Sequence, residues 1–339
     1  MKVLFLIQGY SVAASRYRVL QYIPYLQSNG VAATVRLYPR ALRDNVQFFH
    51  TLPQYDIVFL QRKRFNQPRL GLLKKRAKRI VYDFDDAVMY RNSKAEEPVS
   101  QSRQRRFVQM IKASDFIIAG NEFLKQQVLP FNPNVEVIPT SIDQARYLLK
   151  TYSIQQEKVI LGWIGDHGSI HYLEKMRPIL EKIGKQYPQV ELKIVCDTFF
   201  DCEQMKVIKK SWISEEEIAD LQSFDIGLMP LVDDPWSWGK CGLKIIQYQG
   251  VGLPVVCTPV GVNQDLVKDG VNGFWAMTPE DWREKLSLLI ENSELREKMG
   301  REGRRRVLEN YTFQACAPRL LSILNRLMEI IPKRGRGFG

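Results

Sequence analysis

The chain has 339 residues, 45% hydrophobic and 25% charged, which exceeds one typical domain and suits two. No stretch approaches the roughly 18 uninterrupted apolar residues of a membrane span. Five cysteines (Cys196, Cys202, Cys241, Cys257, Cys316) show neither a CxxC pair nor metal-ligand spacing. These features argue against a disulfide scaffold or a zinc module and predict a soluble, cytoplasmic protein with reduced thiols. The opening MKVLFLIQGY is too short for a signal peptide and reads as a buried first strand. The net charge of +12 is uneven: residues 1–150 carry 24 Lys+Arg against 11 Asp+Glu, a net of +13 that leaves the remainder at −1. The cations cluster at Arg62–Arg64, at Lys74–Arg79 and at Arg103–Arg106, which either attract a polyanion such as an anionic bilayer or are solvated helix faces.

In chain order, apolar runs alternate with helix-patterned segments, so an α/β architecture with parallel sheets is expected. The runs of the first half are 3–7, 33–38, 56–60, 80–84, 116–120 and 135–139; those of the second are 159–165, 191–196, 224–230, 253–258 and 273–277. Val19, Leu20, Tyr22, Ile23 and Leu26 recur at helical spacing, which predicts a helix from Arg18 to the stop signal Asn29-Gly30. Two cycles predict two similar domains, 1–150 and 151–315, with a seam in the polar stretch 144–157 that holds Gln144, Gln155, Gln156 and Glu157. A helix over 316–332, with a stripe through Leu320, Leu321, Ile323, Leu324, Leu327 and Ile330, either caps its own domain or crosses back to the first; 333–339 reads as a frayed tail.

Candidate chemistry lies at a few strand-to-helix turns. Gly162-Trp163-Ile164-Gly165-Asp166-His167-Gly168 fits a backbone that approaches a phosphate, although a tight turn alone also calls for glycine. Further on, Gly242 and Leu243 open a helix, and Lys240 and Lys244, four apart, would share one of its faces and reach one anion, with Gln247 beyond. Asp83, Asp85 and Asp86 crowd a strand end, where they bind sugar hydroxyls or, for Asp85 and Asp86, cap a helix. Arg16, beside Ser15 at an expected helix start, is a candidate phosphate or acceptor contact, whereas Arg18 is as well placed for the surface. His167 and His171 suit one helical face, but as two lone histidines without a carboxylate or cysteine partner they are weak evidence for a ligand set, and His50 reads as structural.

The segment PLVDDPWSWGKCGLKIIQYQGVGLPVVCTPVGVNQDLVKDGVNGF resembles the donor-binding segment of the family-4 glycosyltransferases, whose pattern is EGFGLxxLEAMAxGxPVIAxxxGGxxExVxxGxxG. SRYRVLQYIPYL, VYDFDDAV, ASDFIIAGNEFL and GWIG extend the likeness along nearly the whole chain. The resemblance implies the GT-B fold, two Rossmann-like domains facing each other across a cleft. It implies a nucleoside-diphosphate sugar as donor, with no cofactor and no metal, and transfer with retention to a saccharide or lipid-linked acceptor. Gly242 and Leu243 match the amides that hold the donor pyrophosphate, and Gln247 matches the second of two glutamates eight apart. The first falls on Gly239, so the pair is not intact; Asp233 or Asp234 is the candidate substitute acceptor. Gly165, Asp166 and His167 would line the donor site, Lys240 and Lys244 would neutralise the leaving diphosphate, and Asp85, Asp86 and Arg16 would meet donor or acceptor. Base recognition is expected near 209–217. The basic first half then suits an anionic membrane surface at the inner face of the plasma membrane, in polysaccharide or glycolipid synthesis, and nucleic acid is not an expected partner. The altered glutamate pair leaves a competing expectation, an inactive binding or scaffold protein on the same fold.

Overall fold

The structure, a computed structural model, describes residues 1–39, 42–152 and 158–329, without the side chains of 42–45. Gln155, Gln156, Glu157, Ile330 and the tail 333–339 lie outside the described residues. The chain divides into two compact units. The first comprises Met1–Ser141, the short segment Asp234–Cys241 and the C-terminal helix Phe313–Glu329. The second comprises Ile142–Asp233 and Gly242–Thr312. The chain thus leaves the first unit after Ser141, just ahead of the polar stretch 144–157.

The first unit is built on six parallel strands: β1 Lys2–Ile7, β2 Ala32–Leu37, β3 Ile57–Gln61, β4 Ile80–Phe84, β5 Phe116–Ala119 and β6 Val135–Val137. Their order is β2-β1-β3-β4-β5-β6. Side chains of a strand alternate between faces. Leu4, Leu6, Val58, Leu60, Ile80 and Tyr82 therefore join one core with Leu70, Leu73, Phe107, Met110 and Ile111 from helices Gln67–Arg76 and Gln101–Ala113. Val3, Phe5, Ile7, Ile57, Phe59 and Val81 join the opposite core. There they meet Tyr22, Leu26 and the stripe Cys316, Leu320, Ile323, Leu324 and Leu327 of the C-terminal helix. Strands covered on both faces read as continuous apolar runs. Each fully buried large apolar side chain contributes about 1.5–3 kcal/mol.

The expected helix over 18–29 is broken. It forms as Ala13–Arg18, a 3₁₀ turn Leu20–Tyr22 and Ile23–Ser28, with Pro24 in the first turn of the last piece. A proline lacks the amide that a continuous helix would require there. Gly30, at φ 80°, follows the stop as expected.

The second unit is also six parallel strands: β7 Val159–Ile164, β8 Val190–Cys196, β9 Lys206–Ser211, β10 Ile226–Met229, β11 Val255–Cys257 and β12 Gly273–Trp275. Their order, β12-β11-β10-β7-β8-β9, is that of a doubly wound dinucleotide-binding sheet. A buried ion pair, Lys150 Nζ to Asp225 Oδ1 at 2.9 Å, fixes the entry to β10, while Asp225 Oδ2 accepts from Ile160 N at 2.9 Å. No helix among the described residues is long and apolar enough to cross a membrane.

Candidate active site

In doubly wound sheets, ligands bind outside the carboxyl ends of the strands where the strand order reverses. In the second unit that place lies between β7 and β10. Tyr248 joins the two strand ends: its hydroxyl accepts from Ile164 N (3.1 Å) and lies 3.4 Å from the Leu228 carbonyl, to which it donates. After β7 the chain turns through Gly165, Asp166, His167 and Gly168 into the short helix Ile170–Glu174. Asp166 closes this turn: Ser169 Oγ donates to its Oδ1 at 3.0 Å, and its carbonyl accepts from Ser169 N and Ile170 N. His167 is not on that helix. Its Nδ1 lies 2.6 Å from Asp197 Oδ2 and its amide donates to Asp197 Oδ1 at 2.7 Å. The hydrogen bond from His167 holds the Asp197 carboxyl below the usual carboxylate range. Asp197, just past β8, is a partner that sequence spacing could not show, thirty residues away.

The helix Leu243–Gly250 starts at Gly242, whose φ of 67° lies in the left-handed region. A Cβ there would also come 2.1 Å from Leu266 Cδ1, so two independent constraints select glycine. The first amides of the helix have no acceptor inside it and carry the positive end of its dipole, which suits an anion. Lys244, in the first turn, places Nζ 5.3 Å from the centre of the buried Trp163 ring on β7. Gln247, one turn further, is buried; its Nε2 donates to Tyr147 Oη at 2.9 Å. Tyr147 in turn donates to Glu217 Oε1 (3.3 Å), and Trp212 Nε1 donates to Glu217 Oε2 (3.0 Å). This buried polar chain runs from the helix to the segment where base recognition was expected.

Lys240 does not share a helix face with Lys244, contrary to the spacing argument. The left-handed Gly242 intervenes, and Lys240 belongs to the segment Asp234–Cys241 of the first unit. Its Nζ lies 3.2 Å from Asp86 Oδ1 and 4.9 Å from the centre of the Trp236 ring. Asp234 caps the helix Pro235–Trp238 by accepting from Ser237 N at 2.7 Å. Asn121 holds the segment down, its Nδ2 donating to the carbonyls of Trp238 (3.1 Å) and Lys240 (3.0 Å). Cys241 is buried in the first core; burial, with Asp85 and Asp86 close by, pushes its thiol well above the ordinary range. It stays protonated, which removes it as a nucleophile.

Gly239 is the position of the first glutamate in the resembled motif. A Cβ on it would lie 2.5 Å from Ala87 Cβ and 2.6 Å from Ala87 N. Here glycine is set by close approach of two backbones, since its φ of −80° is ordinary.

The carboxylates that end β4 are ion-paired and cap no helix; the next helix, Gln101–Ala113, has Ser100 at its start. Arg18 is buried rather than superficial. Its Nε reaches Asp83 Oδ1 and Oδ2 at 3.0 and 2.9 Å, and its Nη1 donates to the Ile138 carbonyl at 3.0 Å. Arg62 binds Asp85 through Nε and Asp86 through Nη2, the latter at 2.7 Å. Burial works against both arginine charges, but the carboxylates outweigh it and hold each guanidinium above its ordinary value. Arg62 itself adopts φ 58°, unusual for a residue with a Cβ. Ser15 lies inside helix Ala13–Arg18, not at its start, and donates to Gln61 Oε1 at 2.8 Å. Arg16 is half-buried, its guanidinium 5.1 Å from the centre of the Tyr17 ring. Thus Asp85, Asp86, Lys240, Asp234 and Arg16 belong to the first unit, and Gly165, Asp166, His167, Gly242, Leu243, Lys244 and Gln247 to the second.

Residues 206–306 match the family described as "Glycosyl transferases group 1". An uncharacterized glycosyltransferase of Methanocaldococcus jannaschii is 22% identical over 302 residues, covering 81% of this chain and 76% of its own. A "probable sucrose-phosphate synthase" of Thermosipho melanesiensis is 30% identical over 161 residues, 46% of this chain and 35% of that protein. Among solved structures, Anabaena HepE in complex with UDP and glucose superimposes with a TM-score of 0.69 at 16% identity, over 96% of this chain and 99% of that one. Sucrose-phosphate synthase of Thermosynechococcus elongatus does so with a TM-score of 0.71 at 12% identity, over 97% and 99%. The fold is therefore GT-B, two Rossmann-like domains.

Proposed function

We propose that this chain transfers a glycosyl group from a nucleoside-diphosphate sugar to a saccharide or lipid-linked acceptor. The observation that carries the proposal is the helix start at Gly242–Leu243. Its amides, together with Lys244 stacked beside Trp163, form a cationic corner at the reversal point of a dinucleotide-type sheet. The name of the Anabaena neighbour, in complex with UDP and glucose, agrees with a uridine nucleotide as the first donor to try.

In this reading the second unit holds the donor. Gly242, Leu243 and Lys244 take the diphosphate, Gly165, Asp166 and His167 border it, and Gln247 with its buried partners shapes the nucleoside end. The anomeric C–O bond to the diphosphate breaks and a new C–O bond to the acceptor hydroxyl forms on the same face. The hydroxyl proton passes to a departing phosphate oxygen, so no protein carboxylate is required as nucleophile. Neutralising the leaving diphosphate and positioning the acceptor supply the rate gain. The first unit presents the acceptor, with Asp85, Asp86, Lys240, Asp234 and Arg16 as its candidate contacts. Its basic surface suits attachment to an anionic cytoplasmic membrane face in polysaccharide or glycolipid synthesis.

A screen of UDP, GDP, ADP and TDP by thermal shift tests the donor half. One nucleotide at about 100 times its Kd should stabilise the protein by about 2.7 kcal/mol. Lys244→Ala should abolish the shift while the unliganded protein remains folded. If no nucleotide shifts the wild type, the donor reading fails. The closed position at Gly239 favours a second reading, a GT-B protein that binds without turnover; a nucleotide shift with no release of diphosphate from any nucleotide sugar would select it.

A further inference from the structure

The carboxyl end of the first sheet carries an assembly that the donor chemistry does not use. The strand order reverses between β1 and β3, and the residues just past those strands, Gln8 and Arg62–Arg64, line a cavity of about 410 Å³ together with Arg103 and Arg106. Of its five cations, Arg62 is taken by Asp85 and Asp86. Among the described residues no carboxylate pairs with Lys63, Arg64, Arg103 or Arg106. Two of these guanidinium groups are held in place by main-chain carbonyls: Arg103 Nη1 donates to Tyr90 O at 3.0 Å and Arg64 Nη1 donates to Val88 O. Burial, and the repulsion of Arg103 and Arg106, pull Arg64 below its ordinary value, so the cluster is unfavourable as it stands. Like charges gathered in a concavity and fixed through neutral carbonyls, rather than dispersed into solvent, are what an anion of two or more charges would relieve. Planar guanidinium forks match phosphate oxygens pairwise.

A second, larger cavity of about 1000 Å³ shares Gln8 and Lys63 with the first. Its walls mix Leu37, Tyr38 and Phe48 with Arg36 and Arg69, which suits a glycosyl or lipid portion attached to the anion. Resting on the proposed function, we propose that the Arg64–Arg103–Arg106 pocket binds the phosphoryl or diphosphoryl group of a phosphorylated acceptor, and so orients it at the first unit. A flat bilayer contact needs exposed cations only. The half-buried Arg64 and Arg103, recessed in a cavity of about 410 Å³, argue for a discrete ligand.

The test is calorimetric titration of the full chain with inorganic pyrophosphate, in saturating UDP so that a donor site is filled. The wild type should bind. Arg103→Gln/Arg106→Gln should bind about tenfold more weakly or worse, and Arg106→Gln alone, at an exposed side chain, should weaken it in part. Lys182→Gln/Lys185→Gln, the same charge change on exposed residues of the second unit, should leave binding unchanged. Tighter binding of a polyprenyl diphosphate in micelles than of a sugar phosphate would identify a lipid-linked source, and the reverse a soluble one; either carries the shared chemistry. No pyrophosphate binding by the wild type, binding indifferent to the double substitution, or displacement of pyrophosphate by UDP from this pocket would overturn the proposal. So would loss of binding to phosphatidylglycerol vesicles alone. Failure of UDP to bind at all, with arginine-dependent pyrophosphate binding intact, would fault the donor reading and leave the pocket standing.

Discussion

Arg62→Met is expected to destabilise the first unit by about 3–5 kcal/mol, the usual consequence of removing one partner from a buried ionic cluster. Arg62 is the group that both Asp85 and Asp86 share, and their side chains are only 9% and 13% exposed. Without it, two adjacent carboxylates would face each other beside Lys240, whose Nζ lies 3.2 Å from Asp86 Oδ1. Arg62→Lys should recover part of the loss. An ammonium group supplies the charge but cannot span both carboxylates with a fork. The measurement is the urea midpoint followed by a probe in the first unit, and it doubles as a test of function. If Asp85 and Asp86 contact the acceptor, Arg62→Lys should lower turnover even at temperatures where the protein remains folded. A methionine variant as stable as the wild type would show that the cluster is not the stabilising junction its geometry indicates.

Restoring the glutamate of the resembled motif, Gly239→Glu, is expected to harm the protein rather than improve it. The new Cβ would lie 2.6 Å from a main-chain nitrogen of Ala87 and 2.5 Å from its methyl, neither of which can turn aside as a long side chain could. Overpacking of this kind costs about 1–3 kcal/mol. The carboxylate would add its charge beside Asp86, next to Ala87 in the chain, so Gly239→Glu should be worse than Gly239→Ala. Denaturant titration of both variants reads the difference. Should Gly239→Glu keep wild-type stability and raise transfer activity, the segment would be freer than its packing implies, and the glycine would be a simple loss. If both variants are destabilised in that order, the glycine reflects a rebuilt acceptor-side contact.

The two sheets were largely legible from the sequence because parallel strands covered on both faces stand out as continuous apolar runs, as β1, β3 and β10 do. The strand Lys206–Ser211 was not, since three lysines interrupt its pattern. It is an edge strand with exposed positions, so it lacks the signature of a buried one. The helix over 18–29 failed at Pro24, a local rule that the apolar spacing overrode. Gly242 was read as the helix start, yet its left-handed turn is what separates Lys240 from Lys244 and defeats the four-residue spacing argument. The ionic partners lay further beyond reach. Arg18 finds Asp83 across 65 residues, Arg62 finds Asp85 across 23, and Lys240 finds Asp86 across 154. Sequence shows that three carboxylates crowd a strand end, but only topology shows which cations meet them. The His167–Asp197 pair was missed for the same reason: parallel neighbours β7 and β8 bring their ends together after two helices, Ile170–Glu174 and Arg177–Gln186, have intervened.

The most direct test of the glycosyltransferase reading is release of nucleoside diphosphate from a panel of nucleotide sugars, followed by a coupled assay in parallel for the wild type and Lys244→Ala. The account predicts that one donor class yields diphosphate, slowly with water as acceptor. The lysine variant should be slower by about tenfold or more, because a charge placed on the departing diphosphate acts chiefly in the transition state. Equal rates in both proteins would remove Lys244 and the helix start from the mechanism. Release from no donor, in a protein that stays folded and binds no nucleotide, would contradict the account as a whole.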